Sequence, residues 1–71
     1  MLVRFEVYAE EGFWCGKALG VDIFTQGKTL DELMENTREA VGLHFEDEIR
    51  RGEVMRIQLI SETEVDAVAR N

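Results

Sequence analysis

The sequence predicts an α+β domain of order β-β-β-α-β, in which one helix lies across a small mixed sheet. Three observations carry this reading. Four short stretches have the period or apolar content of strands, and glycine-containing breaks separate the first three. The stretch from Thr29 to Arg51 repeats apolar residues every three or four positions between a start and a stop signal. Finally, 71 residues are enough for one core and one domain only.

The first strand runs from Leu2 to Tyr8, where Val3, Phe5 and Val7 alternate with Arg4 and Glu6. Glu10-Glu11-Gly12 interrupts it, and Gly12 accepts the positive φ that a tight reversal needs, so a hairpin follows. The second strand is Phe13 to Leu19, with Trp14, Gly16 and Ala18 on one face and Phe13, Cys15, Lys17 and Leu19 on the other. Gly20 supplies the next turn. A short third strand, Val21 to Thr25, puts Val21, Ile23 and Thr25 on one side and Asp22 and Phe24 on the other.

Gln26-Gly27-Lys28 leads into the helix. Thr29 is an N-cap, and Glu32 three residues on completes a capping box by reaching back to the Thr29 N–H. Asp31, Glu32 and Glu35 suit the positive end of the helix dipole. Leu30, Leu33, Met34, Thr37, Ala40, Val41, His44, Phe45 and Ile49 form one stripe. Glu46–Arg50 and Asp47–Arg51 are spaced for ion pairs, and Gly52 closes the helix. The fourth strand is Val54 to Ile60, with Met55, Ile57 and Leu59 on one face and Arg56 and Gln58 on the other. Residues 1–60 therefore make the domain. Residues 61–71 form a short helix, opened by a second capping pattern at Ser61 and Glu64, or a flexible tail.

Two hairpins and one right-handed helical crossover give the sheet order 3-2-1-4, with the fourth strand parallel to the first. The helix covers one sheet face and leaves the other to water or a partner. Trp14, Phe13 and Phe24 are the side chains suited to anchoring such a contact, with a second copy or with a foreign protein. The small core, which the lone Cys15 cannot brace with an intrachain disulfide, predicts a homo-oligomer, dimer or higher.

Composition narrows the function classes. Apolar residues at 45% predict a folded chain despite 32% charged residues. Fifteen acidic against eight basic residues, net charge −7, give no basic stripe for phosphates, so direct nucleic-acid binding is not expected. No run is long and apolar enough to span a membrane, and the first residues lack the features of a secretion signal. A single cysteine fits a reducing cytoplasm.

No catalytic, cofactor or metal site is expected. Two-metal phosphoryl chemistry needs converging carboxylates, and beside Glu6, Glu32 and Glu35 the fourth strand offers none. His44 and Cys15 are too few for a metal, and Cys15 shares a face with Lys17 but has no neighbouring base. Gly27-Lys28-Thr29 matches the end of a phosphate loop without its upstream glycine and is better explained as a turn plus cap. The chain reads as a binding protein, not an enzyme.

Two segments carry a family resemblance. Phe5-Glu6-Val7-Tyr8-Ala9-Glu10-Glu11-Gly12-Phe13-Trp14 resembles the opening hairpin of HicB-type antitoxins and their stand-alone relatives. Thr25-Gln26-Gly27-Lys28-Thr29-Leu30-Asp31-Glu32-Leu33-Met34-Glu35-Asn36-Thr37-Arg38-Glu39-Ala40-Val41 resembles that family's passage from third strand to helix. The resemblance covers Phe5 to Ile60 and implies a truncated, degenerate RNase H-like fold. It implies an antitoxin that neutralises a small basic RNA-cleaving toxin of the HicA type. The alternative is a stand-alone homo-oligomeric relative with a regulatory role and no toxin. The chain departs from the family in two places. Cys15-Gly16-Lys17-Ala18-Leu19-Gly20 replaces a proline-containing loop, and the residues after Ile60 are too few for a DNA-binding module.

Overall fold

In the computed structural model, which describes residues 1–65, the strands are β1 (Leu2–Glu10), β2 (Phe13–Ala18), β3 (Phe24–Gly27) and β4 (Arg56–Ile60). Two helical segments, α1 (Leu30–His44) and α2 (Glu46–Arg50), lie between β3 and β4. The sheet order is β3-β2-β1-β4, antiparallel except for the parallel β1–β4 pair, as the hairpin and crossover reasoning requires.

The first turn is set by local chemistry. Glu10 pairs with Phe13, so Glu11 and Gly12 form a two-residue loop, with φ of 52° and 83°. Positive φ at both positions belongs to the hairpin turn whose twist matches the strands it joins. Gly12 takes this conformation without a Cβ penalty.

The third strand lies further along than expected. Leu19 to Ile23 form the turn out of β2, in which Ala18 N–H donates to the Ile23 carbonyl at 3.0 Å, and the ladder starts at Phe24. The predicted alternation survives the shift: Ile23, Thr25 and Gly27 are buried, whereas Phe24 and Gln26 are exposed. The fourth strand begins at Arg56 rather than Val54, since Val54 gives its carbonyl to the Met1 ammonium at 2.9 Å. Ile57 and Leu59 face the helix side, as expected, and are half-buried.

The helix reaches the predicted length only with a break. At Phe45 the backbone turns to φ −109°, ψ 31°, and α2 starts again from there. Phe45 is buried in the core with Val3, Phe5, Ala18, Ile23 and Val41. The bend coincides with the residue that turns its ring into that core. His44, which the stripe included, is exposed and touches Phe45 edge-on at 4.7 Å. Leu30 and Ile49 at the stripe's ends are also exposed.

The helix ends correct the details of the capping scheme. Thr29 Oγ1 accepts the Glu32 N–H at 3.0 Å, while the Glu32 carboxylate accepts the Lys28 N–H at 2.6 Å instead of that of Thr29. Glu46 pairs with Arg50 at 3.3 Å, but Asp47 pairs with Arg50 at 3.8 Å and not with Arg51, which has left the helix. Gly52 N–H donates to Ile49 and Glu53 N–H to Glu48, the double closure that a residue at φ 90° permits.

Helix α1 packs mainly on β3 and β2. It comes closest at Gly27, where a Cβ would lie 2.5 Å from Leu33 N and 2.9 Å from the Glu32 carbonyl carbon. Beneath it, Thr37 Oγ1 donates to the Leu33 carbonyl at 2.7 Å and lies 2.9 Å from Thr25 Oγ1. The Thr37 proton is thus committed to Leu33, so Thr25 donates to Thr37. Residues 61–65 form no helix, which removes the expected start at Ser61; residues 66–71, the rest of that segment, lie outside the described residues.

Candidate functional site

The register decides which side chains look away from the helix. In one row across the open face Tyr8, Cys15 and Gln26 are neighbours; in the next, Ile60, Glu6, Lys17 and Phe24. Phe13 pairs with Glu10 at the hairpin end of the same face. Phe24, at the β3 edge, is 56% exposed, an unusual degree for a phenylalanine on a strand.

Phe13 and Phe24 flank a hollow of about 230 Å³, which Cys15 and Gln26 also line and Glu10 and Glu11 complete. Sequence reasoning named the two phenylalanines, and the structure brings them together. Trp14, named with them, lies elsewhere. It pairs with Ala9 and Gly27 in the rows that face α1, on the other side of the sheet, and is half-buried. Reasoning from sequence missed Glu10, Glu11, Cys15 and Gln26 as parts of one site. The available signal was the two-residue turn, which sets Glu10 directly opposite Phe13, together with the outward parity of Gln26 once β3 starts at Phe24.

The hollow combines aromatic walls with two carboxylates and an amide. That combination suits a cationic side chain, its methylenes along the rings and its charged head at Glu10 and Glu11. Cys15 is buried although it belongs to the open face. The neighbouring Tyr8 phenol is held above its ordinary pKa, first by partial loss of water and then by the electrostatic influence of the nearby Cys15, Glu10 and Glu6 side chains.

The remaining candidates do not converge. Glu6 points to the open face, whereas Glu32 and Glu35 belong to the helix layer across the sheet, and Glu32 is engaged in capping. Among the described residues no group of three or more His, Cys, Asp or Glu side chains is placed to hold a metal ion, and no helix is long and apolar enough to cross a membrane. A larger groove of about 430 Å³ runs between α1 and β4, lined by Met34, Val41, Ile49, Met55 and Ile57 with Arg38 at its rim. It carries no carboxylate, and its one charged lining residue is the cation Arg38, so the smaller hollow is the better site for a basic group.

A UPF0150 protein from Thermotoga maritima is similar to this chain, 39% identical over 46 residues. The match takes in 65% of this chain and 66% of that protein, so it spans just under two thirds of the relative's length. No protein-family model matches the chain, and no solved structure does.

Proposed function

We propose that this chain is a HicB-like, non-enzymatic binding domain of the cytoplasm that captures a small basic RNA-cleaving toxin and holds it inactive. The observation that carries the reading is the Phe13–Phe24 hollow with Glu10 and Glu11, a receptor for a lysine or arginine on an otherwise open sheet face. Three further features support it. The hairpin and strand-to-helix segments resemble the antitoxin family, and β-β-β-α-β is the order which that resemblance implies. The likeness to the UPF0150 protein extends over 46 residues. Glu32, Glu35, Glu39 and Glu46 are exposed along the helical layer, so a net charge of −7 favours a basic partner at long range as well.

The test begins with the genome. A short reading frame for a basic protein next to this gene is co-expressed with the chain, and the complex is purified. Capture of its product by the wild-type chain, with strong loss in Phe24→Ala and in Glu10→Lys/Glu11→Lys, is the expected result. Both variants alter exposed side chains and should leave the circular dichroism unchanged. Absence of such a reading frame and of any captured basic protein would favour the stand-alone homo-oligomer. Capture that ignores both variants would remove the hollow from the mechanism.

A further inference from the structure

The two edges of the sheet are treated differently. β3 is only four residues long, and Asn36 of α1 already donates to its Gln26 carbonyl at 2.8 Å. Short length and a covering side chain are ways of blunting an edge. β4 is one residue longer, and among the described residues no such side-chain bond reaches its outer edge. It stands last in the sheet, and its inward residues Ile57 and Leu59 remain half-buried, Ile57 lining the groove under α1. A second hollow of about 390 Å³, lined by Val7, Leu30, Met34 and Leu59 with Asp31 and Ser61, follows along β4.

The direction of the backbone groups follows from one bond. Arg56 N–H donates to the Met1 carbonyl at 2.8 Å, so Arg56, Gln58 and Ile60 direct their backbone groups to β1. By alternation Ile57 and Leu59 direct their N–H and C=O groups to the free edge. An incoming antiparallel strand would bond to those two residues and, at the end of β4, to Ser61.

We infer that the β4 edge pairs with the β4 edge of a second copy of this chain, antiparallel about a two-fold axis at Leu59. Charge selects this register. It sets Arg56 opposite Glu62 of the partner subunit and, by symmetry, repeats that contact at the other end. Both charges fall at positions between the ladder bonds, where cross-strand side chains come closest. Arg56 and Glu62 are exposed in the single chain. On the helix side Leu59 meets its symmetry mate, and the two grooves under α1 join across the axis. A register centred one residue earlier, at Gln58, satisfies the backbone equally but leaves Arg56 opposite Ile60. The continuous sheet then has eight strands, and both helical layers lie on one face. The pairing leaves the Phe13–Phe24 hollow free, so it stands or falls separately from the proposal of a basic partner.

Sedimentation equilibrium of the full chain reads the result directly. The wild-type chain should be dimeric, and Arg56→Glu, which sets two like-charged pairs against each other, should raise the dimer dissociation constant about tenfold or more. Glu62→Arg should do the same, and the double variant Arg56→Glu/Glu62→Arg should restore the dimer. Hydrogen exchange provides an independent readout, with slow exchange at Ile57 and Leu59 in the dimer. A monomeric wild-type chain, or a dimer indifferent to both single reversals, would overturn the inference. Free exchange at Ile57 and Leu59 in a dimeric sample would overturn it too.

Discussion

Thr37 sits at the centre of α1 with no exposed surface, and its hydroxyl proton goes to the Leu33 carbonyl while its oxygen accepts from Thr25. The two threonines are therefore unequal. Thr37→Val should cost about 1–3 kcal/mol in a urea titration, because it strands the buried Thr25 hydroxyl without an acceptor. Thr25→Val leaves Thr37 bonded to Leu33 and should cost less, and the double variant should recover part of the Thr37→Val loss. Equal single losses that simply add would contradict this pairing. Tyr8 offers a second residue-level test. Its folded pKa is raised, so the contribution to stability is complete below the unfolded phenol value of about 10. Above that pH the unfolded chain gives up its proton first, and stability falls as pH rises through the folded value. Phenolate absorbance should appear at higher pH than in free tyrosine, and Glu6→Gln or Glu10→Gln should bring it back toward the ordinary value. A titration unmoved by either change would show that their charges do not act on the phenol.

At the scale of the elements, Gly27 is the junction on which the layers depend. The helix start lies so close to β3 that a Cβ at this position would meet backbone atoms, which cannot turn aside as a side-chain tip can. Gly27→Ala should lower stability by about 1–3 kcal/mol through displacement of α1; a thermal midpoint equal to the wild type would refute that close approach. In the sequence Gly27 reads as a turn residue, since nothing local announces that a helix passes over it. The same limit explains the other differences. Cap and stop signals at Thr29 and Gly52 are local chemistry, and they mark where the helical stretch starts and ends. The bend at Phe45 has no proline or glycine at that position; it accompanies burial of one ring, and burial is a tertiary fact. Likewise the strand period assigned Phe24 and Thr25 to the correct faces, while the start of β3 depended on a turn, Leu19 to Ile23, whose bonds the pattern does not contain.

For the whole molecule, topology was legible because hairpins and a right-handed crossover leave little choice once the element order is known. The candidate site was legible only in part. Phe13 and Phe24 stand out by type, but their meeting with Glu10 and Glu11 depends on register; Trp14, already on the face opposite Phe13 by strand alternation, fell on the helix side. The resulting domain has a face covered by the helices, an open face with the Phe13–Phe24 hollow beside Glu10 and Glu11, and a β4 edge that no side chain covers among the described residues. These are separate surfaces, so self-pairing through β4 and capture of a basic protein on the open face can coexist. If a basic protein is encoded beside this gene, an amide-resolved NMR titration with it is the most direct test of the binding role. If its lysines or arginines enter the hollow, resonances of Glu10, Phe13, Cys15, Phe24 and Gln26 should move first and saturate together. Perturbations confined to the exposed face of α1 or to β4, with those five residues unmoved, would contradict it.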